Sequence, residues 1–155
     1  MKNKSYLVVP VLLLIFALAV LSAGCTTPVE PSGNPGTTSS EIVEKVEVYH
    51  FHRTQQCYSC KTLGAFAEET VNTYFAPEVA SGKLVFAHVN IDLPENKELV
   101  ERYGPTGSSL WIGVYDKDGF HKEENVNVWY KIGNKEEYLA YLKGVIEKRL
   151  AGDLS

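Results

Sequence analysis

The chain has 155 residues, which is enough for one folded domain together with a targeting segment. Hydrophobic residues make up 45% of the sequence and charged residues 22%, and this balance excludes a chain that is disordered along its whole length. The formal net charge is -4 at pH 7 and the basic residues form no stripe, which argues against nucleic acid as a partner.

The N-terminus has the pattern of an export signal. Lys2 and Lys4 precede an apolar run over 6–21, which is short for a membrane span and typical of a signal peptide. The run ends in the sequence LSAGC, whose last residue is Cys25, and small residues directly before a cysteine resemble the lipobox of prokaryotic lipoproteins. That resemblance implies cleavage before Cys25 and attachment of lipid to its sulfur. An uncleaved anchor helix and an ordinary secretory signal are the alternatives, and they also place the folded part outside the cytoplasm.

The segment after Cys25, TTPVEPSGNPGTTSS, contains one apolar residue, Val29, so it cannot form a core and is typical of a flexible tether. We therefore predict three parts. They are a lipoprotein signal peptide over 1–24, the lipidated cysteine with its tether over 25–40, and one folded domain over 41–155, held at the outer side of the cell membrane.

The folded part begins with three patterned segments. Residues 46–52 are β-branched and aromatic, and they predict a first strand. Apolar residues recur at three- and four-residue spacing over 57–75 and predict a helix. The nearly continuous apolar run over 84–91 predicts a second strand, buried and parallel to the first.

The middle of the domain alternates between helix and strand signals. Asp92 and Glu95 have the spacing of a capping box and predict the start of a short helix. Residues 110–115 predict a third strand. The turn residues 116–119 then predict a hairpin to a fourth strand within 124–132.

A final helix is predicted over 135–150, since Asn134 and Glu137 also have capping spacing. The order is strand, helix, strand, helix, strand, strand, helix. Crossovers early in the chain imply a parallel pair, and the later hairpin adds an antiparallel strand. We therefore expect an α/β domain with a mixed four-stranded sheet and helices on both faces.

A cysteine pair, Cys57 and Cys60, follows the first predicted strand and opens the first predicted helix, which is the context of a redox motif. The unpaired N–H groups and the dipole at a helix start stabilise a thiolate, so we expect a lowered pKa for Cys57. No Asp or Glu occurs over 48–67, which favours the thiolate further. The helix places Cys60 one turn along, where it can resolve a mixed disulfide formed at Cys57.

The element order and the cysteine pair together resemble the thioredoxin superfamily over about residues 44–150. The resemblance implies that Cys57 is the attacking thiol and that Cys60 is the buried, resolving thiol. It also implies a redox partner, either a disulfide-bearing protein or a reductase.

Among the positions that depart from the thioredoxin pattern, two bear on the candidate site residues. Ser109 stands where most thioredoxins carry a cis-proline facing the cysteines, and by this analogy we expect it to line the site. Phe51 stands where thioredoxin carries a buried acid that relays protons. His52, or else His50, is our candidate to replace that acid, because imidazole titrates near neutral pH. His88 has no comparable support in the sequence.

The segments VYHFHRTQQCYSC, VNIDLPENKELVERY and VWYKIGNKEEYLAYL resemble more closely the ArsF-type nitrophenyl compound nitroreductase subunits, small prokaryotic thioredoxin-like proteins. This resemblance implies a role in reducing nitroaromatic compounds as part of an assembly. The chain has no glycine-rich flavin or dinucleotide motif, so any flavin would sit on a partner. We expect no cofactor beyond a redox-active disulfide between Cys57 and Cys60.

Two function classes follow. The first is a membrane-anchored, extracytoplasmic thiol–disulfide oxidoreductase. The second is a module that binds or delivers Cu(I) or Zn(II), because two thiolates with a nearby histidine suit these ions. An inert structural disulfide is the remaining alternative for Cys57 and Cys60, although so small a loop constrains the unfolded chain little. The sequence does not indicate an oligomeric state.

Overall fold

The computed structural model describes residues 43–155. The predicted signal peptide, the predicted lipidation of Cys25 and the predicted tether lie outside the described residues. Within 43–155, no helix is long and apolar enough to cross a membrane.

The described chain forms its strands and helices in the predicted order, with one additional short helix between the first predicted helix and the second predicted strand. The strands are β1 (Lys45–His52), β2 (Leu84–Asn90), β3 (Ser109–Asp116) and β4 (Gly119–Glu124). The helices are α1 (Tyr58–Tyr74), α2 (Ala76–Ala80), α3 (Lys97–Tyr103) and α4 (Lys135–Leu150). Short 3-10 turns occupy Pro94–Asn96 and Val126–Tyr130.

The sheet is mixed, with the strand order β2-β1-β3-β4. Strand β1 pairs in parallel with β2 and antiparallel with β3, and β3 pairs antiparallel with β4 through the tight turn that ends at Gly119. The predicted α/β class and the mixed four-stranded sheet are therefore confirmed.

Helices cover both faces of the sheet. Alternate residues of β1 point to opposite sides, so β1 contributes residues to a core on each face. Val46 and Val48 belong to one core, which also contains buried residues of α1 and α4. Tyr49 and Phe51 belong to a second core, in which they pack with Tyr103 of α3. The first core is the side of the sheet on which the cysteine-bearing helix α1 lies.

The last helix is confirmed at its predicted bounds. The side-chain Oδ1 of Asn134 accepts a hydrogen bond from the backbone N–H of Glu137 at 3.2 Å, as the capping spacing predicts. Tyr138, Leu142 and Ile146 lie one helical turn apart and are buried in the first core.

The predicted position of the fourth strand is wrong. Both the Asp118 and Gly119 N–H groups donate to the Asp116 side chain, so the turn is tight and β4 begins at once at Gly119. Because β3 begins at Ser109, its pairing with β4 ends at the Trp111–Glu124 pair, and little β3 backbone remains to pair with later residues. Val126–Tyr130 forms a 3-10 turn instead.

The capping box predicted at Asp92 and Glu95 is wrong as well. Oδ2 of Asp92 accepts from the backbone N–H of Thr54 at 2.9 Å, so it supports the loop that leads to Cys57. Helix α3 begins only after the intervening 3-10 turn, and the side chain of its N-cap residue, Asn96, makes no capping bond.

Candidate functional site

Cys57 is the N-cap residue of α1, as its place in the sequence predicts. Its backbone is extended, and its Sγ accepts a hydrogen bond from the backbone N–H of Cys60 at 3.2 Å. The two cysteines form a disulfide, with their Cα atoms 5.2 Å apart. Cys57 is exposed and Cys60 is half-buried, so the first sulfur is the accessible one.

The start of α1 is suited to hold negative charge on sulfur. Its first turn contains no acidic residue, and its unpaired N–H groups and dipole point toward Cys57. When the disulfide opens, these groups favour negative charge on the Cys57 sulfur. The arrangement can therefore carry thiol–disulfide exchange.

The loop between β1 and α1 is held in place by hydrogen bonds to residues at and just after the end of β2. Besides the bond from its N–H to Asp92, Thr54 accepts a hydrogen bond at its Oγ1 from Nδ2 of Asn90 at 3.0 Å. These two contacts hold the chain shortly before Cys57 against the sheet. Because α1 follows directly after β1, which is parallel to β2, the cysteine pair lies at the carboxyl end of the parallel strands.

His50 lies on the same side of the sheet as α1 and is 1% exposed. Helix α1 passes directly over its ring, because a Cβ atom added at Gly64 would lie 2.2 Å from Nδ1 of His50. That Nδ1 lies 2.9 Å from Nδ1 of His88, and Nε2 of His50 lies 3.4 Å from Oγ of Ser108. Burial, together with the neighbouring histidines, lowers the pKa of His50 to about 3, so its ring is neutral at pH 7.

His52 lies beside this pair, with its ring centroid 5.3 Å from that of His50 and 6.4 Å from that of His88. Its Nδ1 lies 2.9 Å from the carbonyl oxygen of Arg53. A carbonyl only accepts, so Nδ1 of His52 carries the proton and Nε2 of the neutral ring keeps its lone pair. The structure thus brings three histidines together next to α1.

Sequence reasoning missed His88. Strands β1 and β2 pair in register, so that His50 stands directly opposite His88 and both side chains point to the same face. Pairing the two predicted parallel strands from their first residues, 46 with 84, would have placed the two histidines side by side. Ser108, which contacts the ring of His50, was also missed.

Ser109 is buried but lies on the opposite face of the sheet from His50, where it pairs with Phe51. Its Oγ donates to the carbonyl of Gly107 at 3.2 Å and accepts from Nε1 of Trp111 at 3.1 Å. Among the described hydrogen bonds, none joins Ser109 to a cysteine. The serine that the structure brings to the histidine cluster is its neighbour, and a role of Ser109 in the chemistry stays a prediction.

The residues 43–155 contain no group of three or more His, Cys, Asp or Glu side chains arranged to hold a metal ion. The ring nitrogens of the three histidines make hydrogen-bond contacts with protein groups. His50 contacts His88 and Ser108, His88 also contacts Glu68, and His52 contacts the backbone carbonyl of Arg53.

The strand order, the helices on both faces and the disulfide at the start of α1 together define an α/β protein with a thioredoxin-like fold. No family model matches the chain, and no curated protein matches it. Among solved structures, the chain is similar to a thioredoxin from Thermus thermophilus, with 21% sequence identity and a TM-score of 0.44. The similarity covers 67% of this chain and 75% of that one.

Proposed function

We propose that the protein is a thiol–disulfide oxidoreductase that works outside the cytoplasm and is anchored to the membrane through Cys25. The observation that carries the proposed chemistry is the position of Cys57. It is exposed, it caps α1, and it is bonded to a less exposed cysteine one turn along the same helix.

The exchange proceeds in two displacements. A thiolate of a dithiol partner attacks Sγ of Cys57, the Cys57–Cys60 bond breaks, and Cys60 leaves as a thiolate that takes up a proton. The second thiol of the partner loses its proton and attacks the mixed disulfide, which releases Cys57 as a thiolate stabilised by the start of α1. Two electrons pass to the cysteine pair, and the partner is left with a disulfide. The reverse sequence reduces a disulfide substrate.

A protein partner suits the surface around the reactive sulfur. Tyr58 follows Cys57 directly and is 85% exposed, so it offers an aromatic ring beside the point of attack. Aromatic residues are enriched at protein interfaces because they bury a large apolar area and keep a polar tip. We therefore place the contact with the partner at the rim formed by Cys57 and Tyr58.

The sequence resemblance to nitroreductase subunits supports a narrower proposal, in which the partner is a flavin-bearing reductase that acts on nitroaromatic compounds. In that assembly the cysteine pair passes electrons and the partner holds the flavin. Membranes that contain the wild-type protein should then reduce a nitroaromatic compound faster than membranes that contain Cys57→Ser. Equal rates would exclude this narrower role and leave the thiol chemistry in place.

Trapping of the intermediate tests the proposed chemistry. Cys60→Ser leaves an attacking sulfur without a resolving one, so it should accumulate a mixed disulfide with a disulfide-bearing peptide. Cys57→Ser should accumulate far less, because its remaining sulfur is half-buried. Mass analysis of the adducts distinguishes the two variants. The double variant is the control, and equal trapping by both single variants would contradict the assignment of Cys57 as the attacking residue.

A further inference from the structure

Two residues of helix α1 lie next to the histidine pair, one at the buried histidine and one at the protein surface. Gly64 and Glu68 are one turn apart on α1, with Gly64 over the ring of His50 and Glu68 beside His88. Oε2 of Glu68 lies 3.4 Å from Nε2 of His88. Exposure rises along this series, since His50 is 1% exposed while the side chains of His88 and Glu68 are 37% and 52% exposed.

The contact between the two histidines requires a proton between their rings. The two Nδ1 atoms are 2.9 Å apart, so one of them must carry hydrogen and the other must offer its lone pair. Two bare nitrogens at this distance would repel each other, and so would two N–H groups. When His88 donates from Nδ1, its Nε2 faces Oε2 of Glu68. Because an ionised carboxylate only accepts, a hydrogen bond between these two atoms requires a proton on Nε2 or on Glu68.

His50, the buried member of this series, lies under the part of α1 that carries Cys60. Gly64, one turn beyond Cys60 on α1, lets the helix lie against the ring of His50, and the backbone of Cys60 is among the groups that act on that ring. The groups that face His50 are His52 on its own strand, His88 on β2, Cys60 on α1 and Ser108 before β3. Glu68 joins them through His88.

We propose that Glu68, His88 and His50 form a proton path from solvent to Cys60. The inference rests on the proposed function, since it supplies the proton that Cys60 takes up when the disulfide opens. His50 gives a ring proton to the Cys60 thiolate and regains one at Nδ1 from Nδ1 of His88. His88 takes up a proton at Nε2 from water, or from a Glu68 carboxyl that has itself just taken up a proton from solvent.

The proton count over the full exchange is balanced. The dithiol partner loses two protons and two electrons as it becomes a disulfide. The cysteine pair gains two electrons, Cys60 gains one proton through the path, and Cys57 takes the second from solvent or keeps its charge. When the exchange runs in reverse, the same path carries the proton of Cys60 outward.

The test measures how fast dithiothreitol reduces the disulfide of the full-length protein in detergent, at several pH values between 5.5 and 8.5. The variants are His88→Gln and Glu68→Gln, both at exposed positions, so a fold defect is not expected. His121→Gln is the matched control, because His121 is also a partly exposed histidine beside a carboxylate, Asp116 at 3.1 Å, but lies on β4 at the other edge of the sheet.

A positioned acid or base typically contributes roughly 10²–10⁴-fold, and water can replace part of this path, so we expect about a tenfold slower reduction for His88→Gln at pH 7. Glu68→Gln should be slowed by a smaller factor, and His121→Gln should match the wild type. The thiolate fraction of dithiothreitol changes equally in all samples, so the ratio of variant to wild type is the readout. That ratio should approach one at pH 5.5, where solvent delivers protons readily, and should fall as the pH rises.

The outcomes separate the two proposals. Ratios near one at every pH for both His88→Gln and Glu68→Gln would overturn the path and leave the oxidoreductase proposal standing. A ratio that is low but constant with pH would also overturn the path, because a merely structural role predicts it. A wild-type disulfide that dithiothreitol does not open would contradict the proposed function itself.

Discussion

Gly64 sets how closely the cysteine-bearing helix approaches the sheet. Atoms of the His50 ring lie 2.2 to 2.9 Å from the place where a Cβ would sit, so no side chain fits there unless the ring or the helix moves. Glycine inside a helix costs about 1 kcal/mol relative to alanine. The glycine therefore allows the helix to lie close against the ring of the buried histidine.

Gly64→Ala should therefore destabilise the protein, although alanine favours helix. Overpacking of this kind costs about 1–3 kcal/mol. At a site with ring atoms this close to the added Cβ, we expect the cost to exceed the gain in helix propensity of about 1 kcal/mol. Urea unfolding followed by circular dichroism measures the change in the free energy of unfolding. Gly144→Ala in α4 is the matched control, since nothing lies within 4 Å of the added Cβ there, and it should stabilise by about 0.5–1 kcal/mol. A similar stabilisation in both variants would contradict the described packing.

At the residue level, the pairing of the two cysteines and their position at the start of a helix were predictable from the sequence, because both depend on residues close together in the chain. It did not predict the contact between His50 and His88, which depends on the register of two strands 38 residues apart in sequence. Ser109 shows the same limit. A shift of one residue moves a side chain to the other face of a sheet, and the structure places Ser108 on the histidine side.

Strand β1 is held to α3 and β3 by a buried carboxylate on the face away from the cysteines. Glu47 accepts hydrogen bonds from Nζ of Lys45, the hydroxyl of Tyr103 and the hydroxyl of Tyr115. Burial raises the pKa of Glu47, but the three donors together outweigh burial and hold the pKa below its ordinary value of 4.5. Gly113 leaves room for the Tyr103 hydroxyl at the centre of this network.

Tyr103→Phe should weaken this link in a manner that depends on pH. A carboxyl with a lowered pKa in the folded state contributes stability that is present above the unfolded pKa and lost as the pH falls through the folded pKa. A hydrogen bond to a charged group contributes about 1.5–3 kcal/mol, so the variant should lose about that much at pH 7. The loss should shrink as the pH falls below about 4.5 and through the lowered pKa of the folded state, where the carboxyl takes up its proton.

Urea unfolding at several pH values measures this dependence. Tyr130→Phe is the control, because Tyr130 is 85% exposed and its hydroxyl is free to bond with water. A loss for Tyr103→Phe that stays constant down to pH 3 would show that packing, rather than the charged hydrogen bond, accounts for it.

The elements themselves were predictable where local pattern decides them, as for β1, α1 and α4. The fourth strand was misplaced because Val126, Val128 and Tyr130 alternate with polar residues as a strand would. In the structure only Val128 of these three is buried. The end of β4 is decided by where its partner β3 begins, at Ser109, and that information is distant in the sequence.

At the scale of the whole molecule, we propose that lipid on Cys25 holds the redox domain at the membrane. Cys25→Ser should abolish incorporation of labelled lipid and move the protein from the membrane fraction to the soluble fraction. Cys57→Ser is the control and should keep both the lipid and the membrane fraction, because it lacks only a redox sulfur. A Cys25→Ser protein that remains in the membrane fraction would favour the uncleaved anchor helix.

The central claim is that Cys57 and Cys60 exchange electrons as a pair, and a redox titration tests it most directly. The metal-free protein is equilibrated in glutathione buffers, its free thiols are alkylated, and the products are weighed by mass spectrometry. The account predicts one two-electron transition, with a midpoint between roughly -120 and -300 mV. If instead both thiols stay free, or form only adducts with glutathione across that range, the pair is not a redox centre and the claim is contradicted.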